Sequence, residues 1–126
     1  IMVSTDGGVT RYGEGVPHPR NYGTYPRLLG KYVREEGLLT LEEAIRKCTS
    51  LPASYMGFEG RGYLKPGNWA DIVIFDPATI IDTATFQQPH QYPEGIRYVL
   101  VNGTVTVEGK ELRGARGGKV LRARAG

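Results

Sequence analysis

The sequence predicts an α/β chain in two parts. Residues 1–59 hold a strand, a long loop and helices, and residues 60–126 form a β-rich unit. Three observations carry this expectation. Apolar residues recur at helical spacing within 25–36 and again within 41–48. After residue 60 that period disappears, and short β-branched or aromatic runs between Gly, Pro and Asn replace it. At the start, Ile1-Met2-Val3 runs straight into Ser4-Thr5-Asp6-Gly7-Gly8, as a buried strand stopped by a turn does.

Each element follows from its residues. Residues 7–23 are rich in glycine, with Pro17 and Pro19 among them, a loop too long for a simple connector and so a candidate functional segment. Thr24 reads as the N-cap of a helix over 25–36, with Pro26 in its first turn and Gly37 as its stop. Tyr25, Leu28, Leu29, Tyr32 and Val33 form its apolar stripe. Thr40-Leu41-Glu42-Glu43 has the form of a capping box opening a second helix, with Leu41, Ala44, Ile45 and Cys48 as its buried face. Ser50-Leu51-Pro52-Ala53 begins a short third helix that Gly57 closes. Residues 67–77 read as a strand covered on both faces, because their apolar run does not alternate. Residues 78–95 read as loop. A second strand spans 96–101, and Asn102-Gly103 turns it into a hairpin with 104–107. Val120-Leu121 is a candidate edge piece in an otherwise fraying end.

Composition narrows the classes. At 126 residues, 40% apolar and 23% charged, the chain can bury a real core. The net charge is +3, with Arg113, Arg116, Lys119, Arg122 and Arg124 gathered near the end. No nucleic-acid-binding motif accompanies that basic stretch, so no nucleic-acid partner is expected. No apolar run approaches ~18 residues, so no membrane span is expected, and nothing basic precedes the apolar start as a leader would require. Cys48 is the only cysteine, which excludes an internal disulfide and fits a cytoplasmic setting. The opening in mid-strand suggests a piece of a longer polypeptide.

Two residues are candidates for chemistry. Asp6 ends the first apolar run, and reads either as a turn or cap residue or as a functional carboxylate. Arg20, stiffened by Pro19 in His18-Pro19-Arg20, reads either as one half of a surface salt bridge or as a bidentate clamp for a carboxylate. His90 has no partner at zinc-ligand spacing and reads as a surface residue. Cys48 reads as packing.

With these residues in place, the chain resembles the C-terminal portion of the amidohydrolase superfamily, most closely the N-acyl-D-amino-acid deacylases. The resemblance rests on Ser4-Thr5-Asp6-Gly7, His18-Pro19-Arg20, Tyr22-Gly23-Thr24-Tyr25-Pro26-Arg27 and Leu41-Glu42-Glu43-Ala44. It continues through Thr49-Ser50-Leu51-Pro52-Ala53, Gly60-Arg61-Gly62 and Trp69-Ala70-Asp71-Ile72-Val73-Ile74-Phe75-Asp76-Pro77. It closes on Asp82-Thr83-Ala84-Thr85-Phe86 and Val101-Asn102-Gly103.

The resemblance implies the last strand and helices of a metal-dependent-hydrolase (β/α)₈ barrel, followed by most of a small β-sandwich domain. It implies that Asp6 handles the proton in amide hydrolysis, beside or on the metal, and that Arg20 binds the α-carboxylate of an N-acyl-D-amino acid. It also implies zinc, yet the family's histidine ligands have no counterpart here, since His18 and His90 match none of them. The remainder of the barrel is therefore an implied partner, as another segment or chain. The isolated 126 residues are expected to be inactive. A stand-alone, non-catalytic β-domain serving folding or assembly is the alternative.

Overall fold

The computed structural model describes residues 1–122. Helix α1 spans Arg20–Arg27 and continues as a π-helical segment over Leu28–Glu35. Helices α2 (Leu41–Cys48) and α3 (Ser50–Tyr55) follow. Strands β1 (Ile72–Phe75), β2 (Ile96–Val101), β3 (Thr104–Glu108) and β4 (Glu111–Leu112) form one antiparallel sheet in the order β1-β2-β3-β4.

The first helix starts earlier than expected. Pro19, at φ −52°, is already helical, and the carbonyls of His18 and Pro19 take up the N–H groups of Asn21, Tyr22 and Gly23. Thr24 is therefore an interior residue, and its hydroxyl donates back to the Arg20 carbonyl at 2.9 Å instead of capping. Pro26 also lies inside the helix rather than in its first turn. Beyond it the ladder widens: Glu36 N–H donates to the Lys31 carbonyl, five residues back, at 2.9 Å. Gly37, at φ +61°, ends the segment as expected.

In α2 the expected box is half formed. Thr40 Oγ1 accepts from Glu43 N–H at 3.2 Å. The Glu43 carboxylate turns forward instead, to Arg46 at 2.7 Å and Lys47 at 3.2 Å. The hydrogen bonds from Arg46 and then Lys47 hold its carboxyl down at about 2.

The core gathers residues from both sides of position 60. Leu28, Leu29, Ala44 and Ile80 are buried together, with Val3, Val33, Ile45, Cys48, Phe75 and Ile96 packed against them. Burial there pushes the Cys48 thiol up, in keeping with a packing residue. One helix face makes the close approach: Gly23, Arg27, Gly30 and Arg34 lie at successive spacings of four, three and four. The two glycines let the helix backbone meet Asp82 and the 80–81 backbone. Arg27 Nη1 then pairs with Asp82 Oδ2 at 3.0 Å, and Arg34 Nη1 donates to the carbonyls of Ile80 at 2.6 Å and Pro77 at 3.2 Å.

Three strand expectations need correction. Residues 1–6 belong to no strand among the described residues: Val3 N–H donates to the Lys47 carbonyl at 3.3 Å, and no described strand lies alongside to complete a ladder. Of residues 67–77 only 72–75 are extended, because Trp69 N–H is drawn back to the Gly60 carbonyl at 2.9 Å. Nor is β1 covered on both faces. It lies at the sheet edge, with Val73 at 52% and Ile74 at 46% exposure. Val120-Leu121 adds no edge strand; the last pairing is β3 with β4. Residues 123–126, part of the expected frayed end, lie outside the described residues.

The hairpin matches expectation, and its turn does more than reverse the chain. Asn102 and Gly103 sit at φ +48° and +81°. Asp71 Oδ1 accepts the Asn102 N–H at 2.8 Å, and Asp71 also pairs with Arg61. Asn102 Oδ1 accepts from Arg61 at 2.8 Å, and its Nδ2 donates to the Gly117 carbonyl at 2.6 Å. Asn102→Ala is expected to cost roughly 2 kcal/mol, from lost part-buried hydrogen bonds and a residue ill suited to left-handed backbone. Asn102→Gly should recover the backbone share alone. Thermal unfolding of the two variants checks this, and equal losses would contradict it.

Candidate active site

The first turn of the chain places Asp6. Thr5 Oγ1 accepts the Gly7 N–H at 2.9 Å, and Asn21 Nδ2, from α1, donates to the Gly8 carbonyl at 3.0 Å. Within this turn Asp6 adopts φ +47°, a left-handed backbone that Asp and Asn tolerate better than other side-chain-bearing residues. The turn directs its carboxylate outward, at 85% exposure.

Arg20 comes to the same place by a different route. It is the first residue of α1, and His18 Nδ1 accepts its backbone N–H at 3.0 Å. Nothing in the spacing of His18-Pro19-Arg20 signals this capping role for His18. The His18 ring also sets its edge against Phe86, with centroids 4.9 Å apart. From this anchored position Arg20 Nη2 reaches Asp6 Oδ2 at 3.0 Å. The two candidates, fourteen positions apart in sequence, are thus direct partners. Among the described residues no other carboxylate pairs with Arg20, and its side chain is 42% exposed.

His90 does not stand at the surface without partners, as the sequence suggests. Its ring is half-buried among Tyr12, Tyr22 and Tyr92 and bonds to the loop that runs from Asp6 to Arg20. The only signal for this in the sequence is a density of tyrosines at 12, 22 and 92, which have no common period.

A zinc ion does not fit the donors present. Among the described residues no group of three or more His, Cys, Asp and Glu side chains could hold a metal ion. His18 Nδ1 is committed to Arg20 N–H, both ring nitrogens of His90 are engaged, and the Cys48 thiol packs against the core. Of the two site candidates only Asp6 is a donor, one carboxylate where zinc takes three or four ligands.

Asp6 and Arg20 thus form an exposed ion pair at the two ends of a glycine-rich loop. The Amidohydrolase family matches residues 2–107, and the chain belongs to that family. The chain is 49% identical over 105 residues to a D-aminoacylase of Alcaligenes xylosoxydans xylosoxydans, covering 83% of this chain and 22% of that protein. It is 49% identical over 102 residues to an N-acyl-D-glutamate deacylase of the same organism, covering 81% and 20%. A solved N-acyl-D-glutamate deacylase from Bordetella bronchiseptica, complexed with zinc and a phosphonate inhibitor, superposes with a TM-score of 0.77 at 46% identity, over 86% of this chain and 23% of that one. A D-aminoacylase structure, of a protein with a binuclear metal centre, superposes at 0.83 with 47% identity, over 85% and 23%. The chain thus spans about a fifth of the length of the curated relatives it matches, and corresponds to a C-terminal fragment of them.

Proposed function

We propose that this chain is part of a zinc-dependent deacylase of N-acyl-D-amino acids, with Asp6 as its proton carrier and Arg20 as the clamp for the substrate carboxylate. On this reading residues 1–59 form the end of a (β/α)₈ barrel and residues 60–126 most of its small β-domain. The observation that supports it most is the 3.0 Å contact between Asp6 and Arg20, in a chain nearly half identical to several such deacylases. The contact brings together the two functions such a reaction needs from one side of its site, proton transfer and substrate anchoring.

The chemistry asked of these residues is balanced. Asp6, as a carboxylate, accepts a proton from the attacking water as the new C–O bond forms at the acyl carbon. It then delivers that proton to the amide nitrogen as the C–N bond breaks. The products are a carboxylic acid and a D-amino acid, and Asp6 is again ionised. Arg20 meets Asp6 through one nitrogen, Nη2, so the other N–H groups of its guanidinium are open to a substrate carboxylate, which would set the amide at a fixed distance from the acid. The zinc site lies with residues outside this chain, and the 126 residues alone are inactive.

Arg20→Ala in the full-length, zinc-loaded protein tests the clamp. It is expected to lower kcat/KM for N-acetyl-D-amino acids roughly 10- to 100-fold, the range for losing a charge-assisted hydrogen bond, mostly through KM. Hydrolysis of an N-acetyl amine lacking the carboxylate should change little. Equal losses on both substrates would remove Arg20 from substrate binding.

A further inference from the structure

The loop that separates Asp6 from Arg20 is tied down at its middle by one side chain from far along the sequence. His90 Nδ1 accepts the backbone N–H of Gly13 at 3.1 Å and shares its lone pair with the Tyr22 hydroxyl at 2.8 Å. An amide N–H only donates, so Nδ1 carries no hydrogen and Nε2 does. Nε2–H then donates to the Gly15 carbonyl at 3.0 Å. One imidazole thus satisfies a donor and an acceptor on two loop residues. Both are at positive φ, +82° for Gly13 and +67° for Gly15, a backbone that glycine adopts without steric cost.

Aromatic rings close around the bond. Tyr12, from the loop, stacks on Tyr92 with centroids 4.9 Å apart and meets the His90 ring edgewise at 5.6 Å. Tyr22, in α1, meets both His90 and Tyr92 at 5.8 Å. Tyr22 lies two residues after Arg20 in α1, so the cluster joins the middle of the loop to the helix turn that carries the clamp. Burial pushes the Tyr92 hydroxyl up, as a ring enclosed by its neighbours requires.

We propose that His90 is a positioning residue. It latches the loop over residues 7–19 at its midpoint, and so fixes the separation of Asp6 and Arg20 at the loop's two ends. The functional half of this inference rests on the deacylase reading above; the latch itself does not. His90 touches neither member of the pair and acts through Gly13, Gly15 and Tyr22.

Trypsin and steady-state kinetics on the full-length protein test both halves. Arg11 lies inside the loop, exposed, and its cleavage reads local opening of the loop. His90→Ala removes every polar contact of the latch. It is expected to speed cleavage after Arg11 by about tenfold, the equivalent of one net hydrogen bond, and to raise KM for an N-acyl-D-amino acid by a similar factor with a smaller fall in kcat. His90→Asn places an amide oxygen near the position of Nδ1, and should recover most of both effects. Cleavage of His90→Ala within twofold of the parent would overturn the latch. Faster cleavage with unchanged KM and kcat would overturn the positioning role. An Asn variant as open as the Ala variant would overturn the Nδ1 contacts as its basis. If the parent shows no deacylase activity, the proposed function fails while the cleavage result still decides the latch.

Discussion

Asp6→Asn in the full-length, zinc-loaded protein is expected to lower kcat for N-acyl-D-amino acids by about 10²- to 10⁴-fold, the range for removing a positioned general acid–base. The substitution is chosen for its backbone. Asp6 sits at φ +47°, which Asn tolerates, so the turn held by Thr5 and Asn21 survives. Its contact with Arg20 weakens, but an exposed ion pair contributes only ~0–1 kcal/mol, too little to unfold the chain. A loss of turnover with an unchanged melting temperature therefore reports chemistry. Asp6→Ala would confuse the two, since Ala strains the left-handed turn. Retention of more than a tenth of the parent kcat by Asp6→Asn would take Asp6 out of the proton path.

Gly30→Ala is expected to destabilise the protein by about 3 kcal/mol, at the upper end of overpacking costs. Ala is the better helix former by about 1 kcal/mol, so propensity alone predicts the opposite sign. Contact decides it. A methyl group at position 30 would fall on the Ile80 carbonyl, well inside contact distance, and 2.6 Å from Ile81 Cδ1. The Ile80 carbonyl has no room to retreat, because Ile80 is 2% exposed and that carbonyl takes the 2.6 Å hydrogen bond from Arg34. Gly8→Ala is the control: no atom lies within 4 Å of the added methyl, and its effect should stay within ~0.5 kcal/mol. Urea unfolding followed by far-UV circular dichroism separates them. Coincident midpoints for the two variants would sink the account.

What the sequence revealed depended on whether the cause was local. The Asn102-Gly103 turn, the Gly37 and Gly57 stops and the Thr40 cap are properties of a few adjacent residues, and all are where their residues place them. The start of α1 departs from expectation because Thr24 is a good cap in isolation, whereas Pro19 and His18 set the helix running earlier. Of the expected stripe, Tyr25 and Tyr32 are exposed, at 41% and 36%, and no pattern in Leu28–Glu35 announces the π-helical widening. The stripe of Gly23, Arg27, Gly30 and Arg34 is illegible in the sequence because its partners, residues 77–82, lie some fifty positions away. At the site, Asp6 and Arg20 stood out as single residues. Their contact, and the part His90 plays between them, arise from long-range packing that spacing does not encode.

Trp69 is the only tryptophan, and two cations flank its indole: Arg61 at 5.1 Å from the ring centroid and Lys119 at 4.6 Å. Arg61 belongs to the network under the hairpin turn, and Lys119 to the segment that follows Gly117. Within these 126 residues the indole's emission is therefore a single-site optical signal for whether residues 117–122 are seated on the sheet. Excited selectively, it would follow departure of that stretch while the helices, which contain no indole, stay silent.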